Sequence, residues 1–180
     1  MGISYDIIYK KSKEIIKRHK TREPKQILED LGVYLIAFKE PTKLLGMYKI
    51  VNGKDFVFYN PFVDTRIQTM VFAHELGHHL FHHDLAEDGM LEYQIFDITS
   101  EMELEANIFA AHLLLDENSI LDDVMQGYTY DQLARIYEVN SNLIILKLNE
   151  MNRLGMPVRK QLPSKSTFFR EIDGRNSYNY

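Results

Sequence analysis

Residues 72–83 read Phe72-Ala73-His74-Glu75-Leu76-Gly77-His78-His79-Leu80-Phe81-His82-His83, and His74 to His78 within them have the spacing HExxH. On a helix, positions i and i+4 share a face with Cβ atoms about 5–6 Å apart, so two imidazoles can reach one tetrahedral ion at about 2.0–2.1 Å. Glu75, one position round from His74, can stand beside the ion and take a proton from a bound water without being a ligand. The pattern points to a metal-dependent hydrolase with zinc as its ion. Chance also produces HExxH in unrelated helices, so the surroundings matter. Ile67, Met70, Val71, His74, Gly77, His78 and Phe81 form one helical stripe, which puts both histidines on a buried face. Buried imidazoles need polar partners, and zinc supplies them. Gly77 costs about 1 kcal/mol relative to Ala inside a helix, so another element is expected to approach closely there.

The neighbouring histidines form further i,i+4 pairs, 78/82 and 79/83. His74 and His82 are separated by about 12 Å along the axis at 1.5 Å per residue, too far to share an ion through a straight helix. Only the 74/78 pair brackets a glutamate. The metzincin pattern would need Gly at position 81 and His at position 84, which are Phe81 and Asp84 here. Nothing breaks the helix at Phe81, so the third ligand is expected from a separate segment. His79, His82 and His83 read as a solvated helix end, with an auxiliary metal site as the alternative.

That separate segment is 99–115, a second helix on which Glu103 and Asn107 stand one turn apart. The pair can offer a carboxylate to the metal and an amide behind a ligand, a spacing similar to that of gluzincins. Ser100 and Glu103 also spell a capping box, in which Glu103 would only close the helix start. Glu101 and Glu105 are the other carboxylates, turned by helix periodicity to other faces. The residues alone leave these readings open.

FAHELGHHLFHH followed by ELEANIFAAHLLL resembles the ImmA/IrrE family of metallopeptidases, over roughly residues 5 to 155. The resemblance implies that Glu103 is the third zinc ligand. It also implies an anti-repressor protease of the phage or mobile-element kind, acting on a helix-turn-helix repressor. The family's usual LLMP ending is Leu113-Leu114-Leu115-Asp116 here, a departure in the loop and not in the ligands.

Composition is compatible with this reading. The 180 residues suit one domain with a small appendage, and 45% apolar content can build a core. Twenty-one basic against 26 acidic side chains give a formal charge of −5, which lends no support to direct nucleic-acid binding. With no cysteine, disulfides, thiolate zinc sites and thiol catalysis are excluded. Neither a signal peptide nor a membrane-spanning run is legible, so no membrane partner and a cytoplasmic location are expected.

The expected fold is α+β and zincin-like, with a small antiparallel sheet packed on the HExxH helix. A helix capped by Ser4 should run to about His19, and a short one from Pro24 to Gly32. Residues 33–38 read as a strand, and 45–59 as a hairpin around Asn52-Gly53. Asp64 caps the HExxH helix. Residues 84–98 are a long acidic connection, and Tyr93 or His112 are possible oxyanion donors. The expected division is 1–127 as the peptidase domain, 128–152 as a helix-turn-helix-like extension and 153–180 as a basic tail. In the extension Ala134 and Val139 fit the motif's packing positions, Glu138 replaces its turn glycine, and Lys147 is the main positive charge on the second helix. Docking of a protein is favoured over groove reading. The alternative function is a non-catalytic regulator with a structural zinc. Such a site would be closed by four protein ligands, whereas a catalytic one keeps a water position.

Overall fold

The structure, a computed structural model, describes residues 2–85, 90–92 and 100–158. Helix α1 (Tyr5–His19) follows Ser4 and buries Ile8, Ser12 and Ile15. Helix α2 (Pro24–Asp30) opens on a proline, whose missing N–H is no loss in a first turn. Strands β1 (Tyr34–Ala37), β2 (Gly46–Val51) and β3 (Lys54–Tyr59) come next. The β2–β3 reversal has φ of 51° at Asn52 and 70° at Gly53. Positive φ at both central residues is what a tight hairpin requires, and Asn-Gly adopts it readily.

The sheet differs from the expected antiparallel trio. It has four strands in the order β1-β3-β2-β4, where β4 is Met90–Glu92 on the far side of β2. Moreover, β1 runs parallel to β3, with Tyr34 opposite Phe56. Residues 38–45 carry the chain past the end of β3, so that β2 enters beyond it and the hairpin brings β3 back in the direction of β1. Asn60 anchors that passage by donating from Nδ2 to the carbonyls of Thr42 and Leu44. Strand β4 falls within the segment read as a plain connection, because three residues are too few to show alternation. Glu87, Asp88, Tyr93 and Asp97 of that segment lie outside the described residues, as does the tail from residue 159 onward.

Helix α3 (Thr65–Phe81) carries HExxH, and the Asp64 side chain caps it by accepting from the Arg66 N–H at 2.8 Å. Its middle is buried continuously from Met70 to His78 and not along a single stripe. The cause is cover on both sides, by β2 and β3 on one and by α2 and α4 (Glu101–Leu114) on the other. A helix so enclosed is apolar all round. Tyr48 and Val57 supply fully buried side chains from the sheet. At Gly77 an added Cβ would stand 2.9 Å from Ala106 Cα, so the close approach expected there is made by α4.

Helices α5 (Glu117–Met125), α6 (Tyr130–Ile136) and α7 (Ser141–Arg153) complete the described chain. Asp116, at the departure from LLMP, caps α5 by accepting from Asn118 and Ser119 and pairs with Arg22 at 2.6 Å. Glu138 adopts φ 54°, the left-handed conformation that the replaced glycine would have taken without strain. Helix α7 packs on α4 and buries Leu143 to Leu148. Lys147 is among them, turned inward with no exposed surface. No described helix is long and apolar enough to cross a membrane.

Candidate metal centre

His74 and His78 are 3% and 1% exposed, and their Nε2 atoms face each other at 2.9 Å. Across from them on α4, Glu103 sets Oε2 3.1 Å from His74 Nε2 and Oε1 3.4 Å from His78 Nε2. Glu103 reaches this position because its backbone N–H, and not its carboxylate, serves the helix start, donating to Ser100 Oγ at 3.2 Å. Half of the capping box is therefore present, and the carboxylate is left for the histidines. The three residues form a His/His/Glu group able to hold a metal ion, with ligand atoms all within 4.8 Å of one another.

Behind the group, His74 Nδ1 lies 2.7 Å from Asn107 Oδ1, so the amide one turn beyond Glu103 orients the His74 ring. Burial, reinforced by the neighbouring His74, lowers the pKa of His78 to about 4. Its imidazole is thus neutral near pH 7, as a metal ligand must be. Burial acts to raise the Glu103 carboxyl, but the adjacent rings of His74 and His78 outweigh it and hold the group well below the usual carboxylate range. Two imidazoles and an anion converging on one buried point are a donor set suited to a dication. Glu75 is fully buried on the same helix and is not one of the three. Its carboxylate lies against β2, where a Cβ on Gly46 would come within 2.7 Å of Oε1.

The expected solvated helix end is not what forms. Helix α3 stops at Phe81, and His82 is 4% exposed, with Nδ1 2.9 Å from His78 Nδ1 and Nε2 2.8 Å from Glu105 Oε2. Glu105 is 2% exposed and also accepts from the Ile3 N–H. His79 lies 3.2 Å from the Tyr48 hydroxyl, and Asp55 of β3 stands 3.2 Å from His83 Nε2. Only His83, with half its side chain accessible, matches the solvated reading. The central strands β2 and β3 cover His79 and the start of α4 covers His82, and the 78/82 spacing was the signal for His82. His112 is directed elsewhere, with Nδ1 3.2 Å from Lys147 Nζ. It lies nine residues along α4 from Glu103, about 13 Å at 1.5 Å per residue, and offers nothing to this site.

Residues 28–149 match the IrrE N-terminal-like domain of the M78 peptidases. The chain is also 27% identical, over 143 residues, to the uncharacterized immunity region protein 2 of Bacillus phage phi105, a span covering 79% of this chain and 90% of that protein.

Proposed function

The chain belongs to the M78 peptidase family, and from that premise we propose a zinc-dependent endopeptidase that cleaves a regulatory protein in the cytoplasm. The observation that carries the proposal is the buried convergence of His74, His78 and Glu103, with the fully buried Glu75 beside it on α3. Zinc held by those three would activate a water, lowering its pKa toward about 7, and polarise the peptide carbonyl. Glu75 takes the proton of the attacking water and delivers it to the departing amine. Asn107 fixes the ring of His74, and Gly46 leaves room for the Glu75 carboxylate. Among the described residues three ligands converge, which favours catalysis over a purely structural ion that four would close off.

The proposed substrate is a helix-turn-helix repressor of the phage or mobile-element kind. The immunity-region name of the phage relative supports that setting. Helices α6 and α7 are proposed to dock protein and not DNA, since net charge is −5 and the basic Lys147 is buried. Incubation of the purified zinc-loaded protein with the repressor encoded nearest its gene should yield two fragments whose masses identify one bond. An intact repressor under these conditions would refute that substrate. Tight sequence-specific duplex binding in a gel-shift titration at physiological salt would refute the docking role.

A further inference from the structure

We propose that His82 and Glu105 form a positioning relay that fixes the tautomer of His78, so that its Nε2 lone pair is kept for the metal. The inference rests on His78 being a ligand. A carboxylate only accepts hydrogen bonds, so the 2.8 Å contact between His82 Nε2 and Glu105 Oε2 places a proton on His82 Nε2. The other ring nitrogen of His82, Nδ1, is then the acceptor in its pair with His78. The proton in the 2.9 Å Nδ1–Nδ1 contact accordingly belongs to His78. With Nδ1 protonated, His78 keeps its lone pair at Nε2, the atom facing His74 and Glu103.

Each link of this chain is held in place. The end of α3 turns the His82 ring back onto His78 while the His82 N–H still donates to the His78 carbonyl at 2.8 Å. Glu105 lies two positions beyond Glu103 on α4, on another face of that helix. Its second oxygen accepts from the backbone N–H of Ile3, ahead of α1. One helix thus supplies both the Glu103 carboxylate and, through His82, the group that orients an opposing ligand. At His74, Nδ1 meets the amide oxygen of Asn107 directly. The two imidazoles of HExxH are therefore oriented by unlike partners. The His78 chain ends on an anion, and such a carboxylate strengthens a ligand's hold on its ion.

The test is zinc affinity by chelator competition, read beside the stability of the zinc-free proteins and the ring 15N shifts of the histidines. His82→Phe should weaken zinc binding about 10–100-fold, the range typical for loss of an orienting partner. Glu105→Leu should do the same, and the double variant should be no weaker than His82→Phe, because the two act in series. Glu105→Gln keeps an acceptor for His82 but loses the match to Ile3, so it should lower stability and largely keep zinc affinity. The wild-type zinc protein should show His78 protonated at Nδ1 and His82 at Nε2 alone. A His82 protonated on both nitrogens, or variants that lose stability but bind zinc as tightly as the parent, would overturn the relay. His78→Ala separates this from the underlying reading. If that variant keeps stoichiometric zinc, the ligand assignment fails; if it loses zinc while His82→Phe does not, the relay alone fails.

Discussion

Helix α4 carries a buried polar cluster at each end, and the two are built on opposite principles. At its C-terminal end His112, Lys147, Glu150 and Glu117 close on themselves. Lys147 Nζ lies 3.2 Å from His112 Nδ1 and 3.6 Å from Glu117, which also meets Lys13 at 2.9 Å. His112 Nε2 faces Glu150 at 3.6 Å, and Arg153 joins Glu150 at 2.9 Å to Asp6 at 2.6 Å. Each cation there has an anion. At the N-terminal end, two buried imidazoles point their Nε2 atoms at each other and at the Glu103 carboxylate. Such a cluster is a donor set suited to a dication. Burial of polar groups alone does not mark a functional site; convergence of ligand atoms on one point does.

The sharpest way to break this comparison is to remove donors from the open cluster. His74→Ala, His78→Ala and Glu103→Ala should each lower bound zinc and abolish cleavage, while Glu101→Ala should leave zinc unchanged. Metal analysis of the purified proteins decides it, and retention of zinc by Glu103→Ala would move the third ligand to another residue. Next in size are the two glycines that give the site its clearance. An added Cβ at position 46 would stand 2.5 Å from Val71 Cγ1 as well as against Glu75. Gly46→Ala should therefore cut turnover while zinc stays bound. Gly77→Ala would wedge α3 from α4, and overpacking of this kind costs about 1–3 kcal/mol, measurable by denaturant unfolding.

The closed cluster should respond differently. Removing one partner of a buried ion pair destabilises the fold by leaving the other charge behind, although Glu117 keeps Lys13 at 2.9 Å, so Lys147→Met should lower the unfolding midpoint while preserving zinc and cleavage. Burial lowers the pKa of Lys147 to about 8 from an ordinary 10.5. Between those values the unfolded chain binds the proton and the folded one does not, so this group's contribution to stability rises with pH across that window. Lys147→Met should flatten the rise in a pH series of unfolding midpoints. The smallest effect belongs to the α6 capping box, where Thr129 accepts from the Gln132 N–H and Gln132 returns a bond to the Thr129 N–H. Thr129→Ala should cost about 1 kcal/mol and leave the metal centre untouched.

Much of the open cluster was legible in the sequence because local spacing encodes it. The i,i+4 pair of His74 and His78, Gly77, and the turn separating Glu103 from Asn107 are facts of helix periodicity. What spacing could not show was which distant element meets which. His82 reads as part of a solvated helix end and Glu105 as turned to another face than Glu103, yet the two meet in the buried interior. Strand β1 lies parallel to β3 because residues 38–45 cross the sheet, a path with no hydrophobic pattern. The closed cluster was invisible for the same reason, and Lys147 read as a surface cation until α7 packed on α4. Helix α5 also went unread, its length of nine residues giving a weak period.

The central claim is that Glu75 works beside the metal group and not within it, and Glu75→Gln tests this most directly. The account predicts that the purified variant keeps zinc, fold and binding to the repressor, yet cleaves it at least about 100-fold more slowly, the lower end expected for loss of a general base. Cleavage at the parental rate, or loss of zinc from the variant, would contradict it.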